Sequence, residues 1–133
     1  MTETGDRLDP LRALVVDAQR FNREKLAEVL KGRVWLDLQT ASVHLAPEAR
    51  PSLSSVKAVL LALLGQKALS LLDEKLSEAM SPKVLEEVTG LVGNTVRPVL
   101  KKLREEGLVV RREQGYAIHN PALHLVVGAI TNP

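Results

Sequence analysis

Six basic side chains are concentrated in the stretch GNTVRPVLKKLREEGLVVRREQGYAI, which runs from Gly93 to Ile118. Arginine and lysine bind phosphate oxygens, and arginine and asparagine also form paired hydrogen bonds with the edges of guanine and adenine. The chemistry that these residue types support is therefore non-covalent recognition of a polyanion. The candidate contact residues are Asn94, Thr95, Arg97, Lys101, Lys102, Arg104, Arg111, Arg112 and Gln114.

Other kinds of chemistry lack the residues that they need. The chain has no cysteine, and its three histidines are scattered, with His119 and His124 five residues apart and so off one helical face. Adjacent glutamates such as Glu105 and Glu106 point apart on a helix, and the sequence has no nucleophile elbow and no glycine-rich phosphate loop. We therefore expect no enzymatic activity, no metal site and no cofactor.

The first element that must position the cations is a helix, predicted over about residues 94–106. Gly93 or Asn94 would cap its start and Gly107 would close its end. Pro98 would remove one backbone hydrogen bond and bend the first turns. The side that this helix buries is expected to consist of aliphatic residues at helical spacing, namely Val96, Val99, Leu100 and Leu103.

The second element is a hairpin, predicted over about residues 108–118, which carries the two arginines at 111 and 112. Gly115 is expected at its tip, because glycine adopts positive φ without steric cost. Tyr116 and Ile118 are expected to return toward the core.

A long apolar helix is predicted ahead of these elements, from about residue 56 to residue 72, with Ser54 or Ser55 as its cap. It is apolar on nearly every side, which is typical of a helix enclosed by other elements or by a second subunit. Gly65 predicts a bend or a close contact. The segment 73–80 is expected to continue as a helix.

The ends of the chain predict three further elements. A helix is expected over residues 10–30, capped by Asp9 and interrupted near residues 21–22. Alternating apolar residues over 34–45 predict a β-hairpin. A short apolar helix is expected to follow a cap at Asn120.

The stretch SPKVLEEVTG predicts a short helix that Ser81 caps and Gly90 ends. The order of helix, turn, helix and hairpin over about residues 55–120 resembles the winged helix-turn-helix domain of transcription regulators, without pointing to a subfamily. The resemblance implies a recognition helix, about 94–106, in the major groove of double-stranded DNA. It also implies a wing, about 108–118, on the flanking backbone.

The resemblance assigns eight of the nine candidate residues to two sets. Asn94, Thr95 and Arg97, at the start of the recognition helix, would read base edges. Gln114 lies in the predicted wing. The phosphates would be held by Lys101, Lys102, Arg104, Arg111 and Arg112.

The expected fold is α+β and mostly α: a winged helix-turn-helix with an N-terminal helix and a β-hairpin extension. An N-terminal arm over 1–52 would precede a winged domain with a C-terminal helix over 53–133. The net charge is only +2, so the argument depends on where the cations lie. Residues 1–10 lack the basic, then apolar, pattern of a signal peptide, and the longest apolar stretch is short, so we expect a cytoplasmic protein without a membrane contact.

Other interpretations stay open. A helix face rich in lysine and arginine is often only solvated, and a winged helix can instead bind proteins as a subunit of a transcription, replication or RNA-processing assembly. Trp35 is expected in the core, whereas an outward Trp35 would indicate a partner surface. The apolar helix over 56–72 and the C-terminal tail predict a homodimer, unless the N-terminal segment covers them within one chain.

Overall fold

The computed structural model describes residues 10–11 and 18–132, with the backbone alone at residues 18–22. This part of the chain is α+β and mostly helical, as predicted, with two separate antiparallel hairpins. Short 3₁₀ turns cover Pro10 and Leu11, Arg50–Ser52 and Asn120–Ala122. The main elements are α1 Ala18–Leu30, β1 Val34–Asp37, β2 Ser42–Leu45, α2 Ser55–Leu72, α3 Pro82–Thr89, α4 Gly93–Glu105, β3 Val109–Arg112, β4 Gly115–Ile118 and α5 Leu123–Thr131.

Helix α2 is the centre of the fold. Ser54 caps it, with its side chain accepting a hydrogen bond from the backbone N–H of Lys57, and the side chains from Val59 to Leu64 are fully buried. Helices α1, α3, α4 and α5 and both hairpins pack around it. By length and composition α2 could cross a membrane, but 61% of it is buried inside the structure, as in the central helix of a soluble protein.

The first hairpin turns one face toward α2. Val34 pairs with Leu45, and both are buried there, whereas the Trp35 and His44 pair faces outward. Trp35 is 54% exposed, so its expected place in the core is wrong. The close contact expected at Gly65 is confirmed, because a Cβ there would lie 2.6 Å from Cγ1 of Val43. Any larger residue at this position would therefore force the side chain of Val43 to shift.

The tight turn of this hairpin is held by Asp37. Its Oδ1 accepts hydrogen bonds from the backbone N–H groups of Gln39 and Thr40, at 2.9 and 3.2 Å. These bonds, mainly those from Thr40, favour the ionised carboxylate and lower its pKa below the usual range. An Asx turn thus supplies the chain reversal, although the sequence lacks the Asn-Gly or Asp-Gly pair typical of short hairpins.

Helix α1 is continuous through residues 21–22, so the predicted interruption there is wrong. The helix buries Leu26, Val29 and Leu30 in the common core, and this packing outweighs a local preference for a break. Asp9, the predicted cap, lies outside the described residues.

The segment 73–80 is not helical, contrary to the prediction. Helix α2 ends at Leu72, and the side chains of Asp73 and Ser77 accept hydrogen bonds from backbone N–H groups two residues later. Such short polar side chains compete with helix formation. Met80 then forms an isolated antiparallel bridge with Tyr116 of β4, which requires an extended backbone.

Helix α3 begins and ends as predicted, with the Ser81 side chain as cap and Gly90 in the left-handed conformation. Helix α4 has Val92 at its N-cap and no side-chain cap, so the cap predicted at Gly93 or Asn94 is wrong. Pro98 is six residues into the helix and exposed, and the helix continues through it.

Gly107, which follows α4, has a φ of 76°. The N–H of Leu108 donates to the Leu103 carbonyl and the N–H of Gly107 to the Arg104 carbonyl, each at 3.0 Å. This is the Schellman arrangement, and it turns the chain directly into the second hairpin.

The second hairpin turns at Glu113 and Gln114, so the prediction that Gly115 forms the tip is wrong, whereas its predicted positive φ is confirmed. Gly115 lies in β4 with a φ of 141°, where a Cβ would clash with the carbonyl of Met80. Glycine is needed here because the hairpin backbone approaches the 73–80 segment closely. The C-terminal helix α5 follows a 3₁₀ turn at Asn120, whose side chain does not cap it.

Candidate nucleic-acid interface

Helix α4 divides into an apolar side and a charged side. Val96, Leu100 and Leu103 are buried and Val99 is half-buried. On the opposite side, exposed basic residues recur at i, i+4 and i+7, a spacing that aligns side chains along one face of a helix. We call this set the cationic stripe; it consists of Arg97, Lys101 and Arg104.

The cationic stripe is joined to the second hairpin by an aromatic contact. The guanidinium of Arg104 lies over the ring of Tyr116, 5.9 Å from its centroid. Arg111 is the cross-strand partner of Tyr116, so its side chain projects from the same face of the hairpin. Four exposed cations therefore run from α4 onto β3 along one side of the molecule.

Arg112 projects from the other face of the hairpin. Its Nη2 lies 3.2 Å from Oε1 of Glu78, and the other oxygen of that carboxylate lies 3.5 Å from Nζ of Lys67. Lys67 is 4% exposed and also donates to Oδ1 of Asn120. We call these four residues the buried-lysine network. It ties α2, the 73–80 segment, the hairpin and the start of the C-terminal element together.

The remaining predicted contact residues lie around the cationic stripe. Asn94 is exposed, one turn ahead of Arg97 on the same side of α4, and Gln114 is exposed in the hairpin turn. Thr95 is half-buried. Lys102 is exposed but is rotated by about 100° around the helix from Lys101, so it lies on the flank.

The charge of the cationic stripe is not cancelled by close ion pairs. Within residues 10–11 and 18–132, no carboxylate lies within 4.0 Å of the basic groups of Arg97, Lys101, Arg104 or Arg111. Glu105 shares a shallow depression with Lys101 and Arg104 without forming such a pair. The surface can therefore attract an anion, and this attraction weakens as the ionic strength rises.

The sequence identified the cations but not the buried-lysine network. The available signal was Lys67 itself, a single charge inside the apolar run AVLLALLGQKALSLL. A charge in that position needs a partner, but the sequence does not say which carboxylate supplies it.

The interface can act through charge, hydrogen bonding and shape. Across the described part of the chain, no group of three or more histidine, aspartate or glutamate side chains is arranged to hold a metal ion.

Comparisons of the chain with protein-family models, with curated proteins and with solved structures gave no match.

Proposed function

We propose that this protein binds double-stranded DNA in a sequence-specific manner as a winged-helix transcription regulator. Helix α4 would enter the major groove, and the β3–β4 hairpin would rest on the flanking backbone as the wing. The observation that carries the proposal is the set of four exposed cations formed by the cationic stripe and Arg111, on the side of the molecule where Arg104 of α4 contacts Tyr116 of the hairpin.

The positions of the side chains suggest distinct roles. Asn94, Thr95 and Arg97 lie in the first turns of α4, the part of a recognition helix that contacts base edges. Lys101, Arg104 and Arg111 would then contact phosphates, with Lys102 and Gln114 at the margin. Arg112 takes a different role from the one that the sequence indicated. Because Glu78 engages it, we assign it to holding the hairpin.

Fluorescence anisotropy with a labelled DNA duplex, at several salt concentrations, tests the proposal. The logarithm of the association constant should fall linearly with the logarithm of the salt concentration, and Lys101→Ala should make the slope shallower by about 0.9. Lys75→Ala in the 73–80 segment, which removes the same charge from an exposed site, is the control. No measurable binding at low salt, or equal slopes for both variants, would contradict the proposal.

The proposal includes a homodimer, although its surface differs from the one that the sequence indicated. The aliphatic residues of helix α2 from Val59 to Leu64 are covered by the rest of the chain, so they are not available to a second subunit. An apolar groove between α1, β1 and the end of α2 remains open, with Leu72 55% exposed at its margin. A two-fold pair could set two recognition helices about 34 Å apart. Mass in solution, measured by light scattering, distinguishes dimer from monomer.

A second candidate function is protein binding by the same winged fold. The observation that favours it is the outward position of Trp35 beside His44 on the first hairpin, since exposed tryptophan is enriched at protein interfaces. This candidate predicts no salt-dependent affinity for DNA. It also predicts that Trp35→Ser abolishes partner binding while the cationic stripe variants leave it intact.

A further inference from the structure

A cleft of about 280 Å³ separates the first hairpin from α3, away from the cationic stripe. Helix α3 contributes Val84, Glu87 and Val88, which its 3.6-residue period places on one face. Val84 is 40% exposed, so the apolar floor of the cleft is open to solvent. Strand β2 supplies the opposite wall, and the volume lies near the lower end of the range for small-molecule sites, about 300 Å³.

Two opposite charges line this cleft without meeting each other. Arg50 and Glu87 are both exposed, and their charged atoms lie more than 4.0 Å apart, since no ion pair joins them. Within the described part of the chain, neither side chain has a hydrogen-bond or ion-pair partner. The guanidinium of Arg50 lies against Gly90, at the left-handed end of α3, where any Cβ would collide with it. The end of α3 thus supports the guanidinium from one side.

We propose that this cleft binds a small zwitterion, an α-amino acid with an aliphatic side chain. Its carboxylate would accept hydrogen bonds from Arg50, and its ammonium group would donate to Glu87. The aliphatic side chain would cover the apolar floor formed by Val84 and Val88. A simple carboxylic acid would leave Glu87 unpaired, and an amine would leave Arg50 unpaired, so a ligand with both charges fits best.

The site is independent of the proposed DNA interface. No residue of the cationic stripe lines the cleft, and Arg111 does not line it either. Ligand binding and DNA binding can therefore be measured separately. A negative result for one of them does not contradict the proposal for the other.

Isothermal titration calorimetry on the full chain, with four related probes, tests the proposal. L-Leucine should bind, while N-acetyl-leucine lacks the ammonium group, leucinamide lacks the carboxylate and glycine lacks the apolar side chain. Each of these three should bind at least about tenfold more weakly than leucine, the expected effect of losing one charge-assisted hydrogen bond or the apolar contact. No heat from leucine up to about 10 mM, or equal binding of leucine and N-acetyl-leucine, overturns the proposal.

Two variants locate the site, and a third is the control. Arg50→Gln and Glu87→Gln should each weaken leucine binding by about tenfold. Glu86→Gln, which changes the neighbouring carboxylate on α3 outside the cleft, should leave it unchanged. All three side chains are exposed or half-buried, so circular dichroism should show the same fold. Leucine binding that survives Glu87→Gln, or that Glu86→Gln reduces equally, overturns the assignment.

Discussion

Replacing Glu78 by glutamine tests whether the buried charge of Lys67 depends on one carboxylate. The Lys67 side chain is 6% exposed and that of Glu78 is 26% exposed. Removing one partner of a fully buried ion pair costs about 3–5 kcal/mol, because the other charge is left uncompensated. Here Asn120 still accepts a hydrogen bond from Lys67, and the Glu78 side chain is partly exposed to solvent. We therefore expect Glu78→Gln to lower the free energy of unfolding by about 2 kcal/mol.

Urea unfolding, followed by circular dichroism, measures this loss in a double-mutant cycle. Lys67→Met removes the buried charge and keeps most of the volume, so adding Glu78→Gln to it should cost little. The coupling between the two sites should be at least about 1 kcal/mol. Arg112→Gln is the control, because its pair with Glu78 is half exposed and such pairs contribute about 0–1 kcal/mol. A loss below about 0.5 kcal/mol for Glu78→Gln, or additive losses in the double variant, would refute the reasoning.

Three further predictions concern the hairpins. Gly115→Ala should lower the free energy of unfolding by at least about 2 kcal/mol, since the new Cβ would meet the Met80 carbonyl; urea unfolding checks this, and an unchanged midpoint contradicts it. Arg111→Ala should reduce the salt slope of DNA binding by about 0.9, whereas Arg112→Ala should not, and the reverse order would disprove the assigned faces. The lowered pKa of Asp37 stabilises the fold above the ordinary carboxylate pKa, and this contribution is lost as pH falls through the folded-state pKa. The difference in melting temperature between the wild type and Asp37→Asn should therefore become smaller at acidic pH. A difference that does not change with pH would contradict the role of the ionised Asp37 carboxylate in this turn.

The features that could be predicted from the sequence are those decided within a few residues. Ser54 and Ser81 each bond to a backbone N–H three residues away, and Gly107 ends α4 through its own φ. The pattern of aliphatic residues likewise identified the buried side of α4. Local geometry is sufficient for these features, because the interacting groups are already neighbours in the chain.

The features that could not be predicted depend on residues far apart in sequence. The 73–80 segment is extended at Met80 because Tyr116, 36 positions later, pairs with it. The sequence predicted Arg112 as a phosphate ligand, but in the structure its guanidinium donates a hydrogen bond to Glu78, which is also distant in sequence. In both cases tertiary packing decided between local alternatives that the sequence leaves nearly equal.

The packing of the first hairpin on Gly65 limits where recombination can divide the gene without destabilising the protein. Val34 and Val43 touch the backbone of α2, and one continuous core includes residues on both sides of residue 53. A recombination event that cut the gene at that point would leave each fragment with an uncovered aliphatic surface. The first hairpin and the helix that it covers should therefore be inherited together, as a single folding unit.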